Sequence, residues 1–233
     1  MAGALSLGQP SGRTALAVAA FIARPVSALK PAALDRWLAD VGGRDLRPML
    51  GAKGALRAVE TYLSEVTGAR RLPVDDALLN RLRTRTEVVT AVEIALAPFA
   101  RLDRLKAHVV GAVCRDAVRG ALLRSDRQAL EALLGPEIQD FAARQAATFY
   151  PALAQLAPHL TPILRSADGT AFAAHPVNTA AARIVAAAIG AEAPIAAAIL
   201  SIRETGSAED PAPLALTVAQ ANEVLRLWQR EAR

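Results

Sequence analysis

The chain has 233 residues, 53% hydrophobic but only 4% aromatic, with a formal charge of +5 and a sequence pI of ≈ 10.1. That length suits one large domain or two small ones, and the apolar fraction is ample for a core. The single cysteine, Cys114, excludes an intramolecular disulfide, and no stretch reaches bilayer-spanning length without a charge or a proline.

Much of the apolar fraction is alanine, which favours closely packed helices. No sustained alternating run of strand formers occurs. The expected fold is therefore mainly α, an irregular multi-helix bundle with a smaller C-terminal helical subdomain. The organisation read from composition is a flexible N-terminus over 1–20, a main helical body over 21–150, a proline-rich connection over 151–178 and the C-terminal subdomain over 179–233. Residues 1–13 are small, polar and glycine-rich, which predicts disorder. The apolar run TALAVAAFIA follows at 14–23. It is too short to span a bilayer, and its flanks, one preceding basic residue and an immediate Arg24-Pro25, argue against a cleaved leader.

Pro31 suits the first position of a helix carrying Leu34, Trp37, Leu38 and Val41, closed by Gly42-Gly43. A second helix runs to Thr67 with a stripe of Leu56, Val59, Leu63 and Val66, and Gly68 follows it as a terminator. Asp75 is placed to cap one long helix through Leu78, Leu82, Val89, Val92 and Leu96, which Pro98 ends. Phe99, Leu102, Leu105, Val109 and Val113 mark another, running to about Leu123. Ser125 with Gln128 fits a capping box for a short leucine helix, Gly135 stops it, and Pro136 opens the next. Pro151, Pro158, Pro162 and Pro176 make 151–176 a region of breaks, with a turn at Asp168-Gly169. An alanine-rich helix then starts at Thr179 and closes at Gly190, another covers Pro194 to Ile202, and a polar loop spans 204–213. Thr217 with Gln220 is a capping box for the last helix, through Ala221, Leu225 and Trp228.

No catalytic constellation is legible. His108, His159 and His175 are scattered, none with a second ligand at metal-binding spacing, and they read as surface or boundary residues. Cys114 lies in the apolar run VVGAVC and reads as a buried, inert thiol. No nucleophile elbow, phosphate-binding loop or dinucleotide fingerprint is present. Arginines recur along 81–127, whereas only Lys30, Lys53 and Lys106 are lysine. These faces are either solvated or dock an acidic partner. Nucleic acid is disfavoured, since no aromatics interleave to stack bases. Charge density singles out Arg115, Arg119, Arg124 and Arg127 as candidate partner-binding residues.

One loop resembles a nucleic-acid element. Gly51-Ala52-Lys53-Gly54 and the helix after it are similar to the GXXG clamp of a KH domain, in which two glycines admit an RNA backbone and the lysine faces phosphate. Arg57 stands where that motif has an aliphatic residue. A KH-like RNA-binding module is therefore the alternative reading.

Three stretches together resemble one family. FIARPVSALKPAALDRWL is similar to the N-terminal signature of the SctK family of bacterial type III secretion (YscK, PscK and OrgA relatives), with Arg24, Pro25, Pro31 and Leu34 at matching positions. AVCRDAVRGALLRSDRQALEALLGPEIQDFAARQA resembles its middle signature through Arg119, Leu133, Leu134, Gly135, Phe141 and Ala142. An alanine-rich helix and a further helix close the chain at fitting distances. SIRETGSAEDPAP stands where relatives show a basic-aliphatic segment ending in proline. The resemblance implies a non-enzymatic adaptor of the secretion sorting platform, cytoplasmic and at the inner face of the inner membrane. It would link the cytoplasmic domain of the inner-membrane ring protein (SctD-like) to the pod or C-ring protein (SctQ-like), reaching the membrane only through such partners. No cofactor, metal, small-molecule ligand or nucleic acid is expected.

Overall fold

The computed structural model describes residues 10–39, 45–52, 54–121, 123–165, 170–205 and 214–231. Among these, every regular element is helical and no strand occurs. The helices are α1 (Pro10–Ala23), α2 (Pro31–Leu38), α3 (Leu56–Val66), α4 (Asp76–Thr84), α5 (Thr86–Leu96), α6 (Phe99–Val113) and α7 (Arg115–Arg119). They continue as α8 (Arg124–Leu134), α9 (Pro136–Arg144), α10 (Ala146–Phe149), α11 (Ala157–Arg165), α12 (Pro176–Glu192), α13 (Pro194–Thr205) and α14 (Val218–Glu231). Short 3-10 turns lie at Val26–Ala28, Arg47–Gly51, Ala69–Arg71 and Leu153–Leu156.

The chain groups into two units. The described residues within Met1–Ala97 and Ile189–Pro213 make the first, and those within Pro98–Ala188 and Leu214–Arg233 the second. Divisions thus fall at 97/98, 188/189 and 213/214. The first unit is built round α5, which packs against α1, α4 and α13. Val88, Ala91, Val92, Ile94 and Ala95 are all buried, so α5 is apolar on nearly every side, as a central helix must be. The second is built round α6, packed against α9, α14, α7, α10, α11 and the turn Leu153–Leu156. Its Leu102, Leu105, Val109, Val110 and Val113 are buried.

Several local signals act as expected. Asp75 caps α4, its side chain accepting from Leu78 N at 2.8 Å. Gly68 and Gly135 take φ of 77° and 83°, the left-handed half of backbone space open to glycine, and Pro136 is the first residue of α9. Thr217 and Gln220 form the reciprocal capping box, at 2.9 and 3.2 Å.

Other expectations are corrected. Residues 10–20 are not a flexible tail but most of α1, because Thr14, Val18 and Phe21 recur at helical spacing and are buried. The long helix expected over 76–96 is broken at Arg85, whose backbone is extended (φ −129°, ψ 110°) and whose guanidinium pairs with Glu192 at 2.9 Å. The next one breaks at Cys114, after which α7 is a separate short helix ending at Gly120. Ser125 lies inside α8 and not at its cap, which is Leu123, so no capping box forms there. The proline-rich stretch contains α11, which tolerates Pro162 inside it. The alanine-rich helix begins at Pro176, ahead of Thr179, and runs past Gly190. The expected Gly42-Gly43 stop, the Asp168-Gly169 turn, Lys53 and the loop from 206 to 213 lie outside the described residues. Glu204 and Thr205, placed in that loop by the sequence, close α13.

Candidate protein-docking surface

The four arginines singled out by charge density lie on α7 and α8 in the second unit. The structure gives them different work. Arg115 turns inward, with a side chain only 15% exposed. Its Nη1 donates to the carbonyls of Ala146 and Tyr150 at 3.2 and 3.3 Å, tying α7 to the ends of α10. Its Nε is buried without a hydrogen-bond partner. Arg127 donates from Nε to Ala121 O at 2.8 Å, closing the turn between α7 and α8, while its own carbonyl accepts from Gln139 Nε2. Arg119 and Arg124 are exposed and form no hydrogen bond or ion pair with any described residue. The candidate set therefore splits into one interior strut, one half-committed side chain and two free cations.

Two grooves run beside α8. One, of about 380 Å³, lies between α7, α8 and α9, with Val118, Ala121, Leu130, Pro136 and Ala143 as its apolar lining and Arg119, Arg127, Gln139 and Asp140 as its polar one. The Asp140 carboxylate is matched by Arg144 at 2.6 Å. The other, of similar size, lies between α7, α8 and α11 and is lined by Asp116, Asp126 and Arg165 among small and aliphatic residues. Ala121 and Leu130 are common to both. Next to them Leu123 is 65% exposed. The grooves exist because α8 buries only its C-terminal leucines, Leu133 and Leu134, leaving its first turns propped away from the body.

Elsewhere the polar groups serve the fold. Cys114 is buried, and burial pushes its thiol up to about 11, with a weaker opposing contribution from the Thr161 hydroxyl 3.8 Å away. A thiol so placed is protonated and unreactive at neutral pH. His108 and His175 are buried, not at the boundary. His108 Nδ1 lies 3.0 Å from Arg104 O with its ring edge-on to Phe141, and His175 Nδ1 accepts from Val177 N at the start of α12. Among the described residues no group of three His, Cys, Asp or Glu side chains is placed to hold a metal. Gly51 and Gly54 are exposed with open space around them. The KH-type reading needs strands flanking that loop to position RNA. The described residues contain no strand beside it.

Three buried charges were not anticipated. Arg203 donates to the carbonyls of Ala28, Ala95 and Ala97, joining α13 to the 3-10 turn Val26–Ala28 and to the end of α5. Lys106, fully buried in α6, meets Asp103 at 3.1 Å and Asn178 at 3.4 Å. Glu223 of α14 accepts from the N–H groups of Ala152 and Leu153, capping the turn Leu153–Leu156. The signal was there: each falls in register with an apolar stripe, Arg203 four residues after Ile199 and Lys106 four after Leu102.

No family model, curated protein or solved structure matches this chain. No helix among the described residues is long and apolar enough to cross a membrane.

Proposed function

We propose that the chain is a non-enzymatic adaptor of a type III secretion sorting platform, holding an inner-membrane ring protein and a pod protein at a fixed separation on the cytoplasmic face of the inner membrane. The observation that carries this reading is that several of the residues bearing the family resemblance have structural work to do. Pro31 starts α2, Leu133 and Leu134 anchor α8, Gly135 makes the positive-φ turn into α9, and Phe141 and Ala142 are buried against α6. Two body units of packed helices, each round a buried central helix, suit a spacer. Arginine side chains left free at Arg119 and Arg124 suit contacts to carboxylates on a partner, because the planar guanidinium offers several donors in fixed geometry.

Affinity purification of the full chain from a strain encoding its neighbouring secretion genes is the test. Ring and pod proteins are expected together in the eluate, and deletion of the gene is expected to abolish export. Wild-type secretion in the deletion strain would remove the assignment.

A further inference from the structure

We infer that the groove between α7, α8 and α9 is a docking site for one acidic amphipathic helix of a partner protein. The inference deepens the adaptor reading, on which its biological sense rests, by naming one contact surface and the chemistry of what fills it. The lining is aliphatic and concave, from Val118, Ala121, Leu130, Pro136 and Ala143. A volume of about 380 Å³ takes a few leucine-sized side chains, as from one face of a helix laid in a groove. The rim decides the sign. Arg119 and Arg127 line it, and Arg124 lies one turn before Arg127 on the same face of α8. The one lining acid, Asp140, is already matched by Arg144. Uncompensated positive charge round an apolar trough selects carboxylates flanking apolar anchors. A nucleic acid would find no aromatic ring in the lining to stack on, and a lipid surface would meet a trough in place of a flat apolar face. The neighbouring groove, lined by Asp116 and Asp126 with Arg165, has the opposite balance and would reject the same occupant.

The probe is a fluorescein-labelled, helix-stapled peptide of about fifteen residues, with leucines along one face and glutamates flanking them. It is titrated with the full chain by anisotropy. Against a control peptide with glutamine for each glutamate, the acidic peptide is expected to bind at least about tenfold more tightly at about 50 mM salt, where exposed charges are little screened. Serine for leucine is expected to abolish binding. The double variant Arg119→Glu, Arg124→Glu removes no bond to a described residue and is expected to weaken binding by about tenfold or more, whereas Arg57→Glu on α3 leaves it unchanged. Amide shifts on saturation are expected within 118–143. Equal binding of the glutamine peptide, indifference to the double variant, equal competition by anionic vesicles or single-stranded RNA, or occlusion of the groove by self-association would each overturn the inference. A chain that binds the peptide but not the ring and pod proteins keeps this surface and loses the adaptor role. One that binds those proteins with Arg119 and Arg124 reversed keeps the role and loses the surface.

Discussion

Only three of the 27 basic residues are lysine, and the structure suggests what the arginines are for. Helices leave their last carbonyls without partners, and this chain has many short helices. Arg81 donates to the carbonyl of Glu192, the last residue of α12; Arg36 to Thr205, the last of α13; Arg127 to Ala121, just past α7; and Arg203 to Ala95 and Ala97 at the end of α5. A cationic fork with several donors there satisfies orphan acceptors and complements the negative end of the helix dipole. Arg203 is the extreme case, buried and bonded to three carbonyls. Burial pulls its pKa down from the usual arginine value, with the Glu204 carboxylate opposing. Arg203→Met is expected to lower stability by roughly 2–4 kcal/mol, since the carbonyls lose their donors, and Arg203→Lys by nearly as much, because one ammonium cannot span three acceptors. Urea midpoints measure both, and a lysine variant as stable as the parent would sink the argument. Cys114 gives a pH prediction. Its thiol titrates at about 11 in the fold and near 9.0 when unfolded, so the folded state binds the proton more tightly. The stability this confers is fully present below pH 9 and is lost as pH rises towards 11, to an extent of at most roughly 2–3 kcal/mol. The parent is expected to lose more stability than Cys114→Ala between pH 8 and pH 10.5, and parallel losses would refute it.

Local chemistry sets the elements where it is strong and fails where packing intervenes. The caps at Asp75 and at Thr217 with Gln220, and the stops at Gly68 and Gly135-Pro136, were legible because each is a short-range bond or backbone requirement. The breaks at Arg85 and Cys114 were not, since neither has glycine or proline beside it. At the break the Arg85 guanidinium meets Glu192, more than a hundred residues away in sequence. No pattern within a window could reveal it. The docking candidates were half legible for the same reason: charge density found the α7–α8 arginines, but only the fold shows that Arg115 is committed inside. Gly111 is a related case. It sits in the helical run of α6 with no turn to explain it. The reason is the close approach of α9: a Cβ there would lie 2.9 Å from Ile138 Cγ2 and 3.5 Å from a Phe141 ring carbon. Ile138 is β-branched and buried, so it yields little. Gly111→Ala would gain helix propensity of up to about 1 kcal/mol on an open face, but here overpacking is expected to outweigh it and leave a net loss of roughly 1–2 kcal/mol. Gly111→Ala combined with Ile138→Leu, which conserves volume but lacks the Cγ2 branch in the way, is expected to recover part of that loss in thermal melts. No recovery would mean the clash is not the cause.

At the scale of the whole chain, sequence proximity and spatial grouping part company. Helices α13 and α14 are near neighbours in the sequence, yet α13 packs on α5 in the first unit and α14 on α6 in the second. Composition suggested a separate closing subdomain because prolines gather at 151–176. The pairing of 189–213 with 1–97 is a long-range apolar match that no composition shift marks. It makes a prediction about fragments. Residues 1–97 include α1 to α5 but lack α13, and with it Ile195, Ile199 and Ile202, all buried, and Arg203, which donates to Ala95 O and Ala97 O. Without them, the side of α5 that packs on α13 is open to water and its last carbonyls lose the Arg203 donor. Losing three buried isoleucines forfeits roughly 5–9 kcal/mol of burial, comparable to the whole stability of a small domain. The fragment 1–97 is therefore expected to show helical circular dichroism but no cooperative melt. Joined by a glycine-serine linker of about twelve residues to 189–213, it is expected to melt cooperatively, because such a linker is flexible enough to let α13 find α5. Replacing Arg203 with methionine in that fusion should lower its midpoint as it does in the full chain. A cooperative melt from 1–97 alone would show instead that α1 to α5 suffice as a core and that α13 is an addition to it.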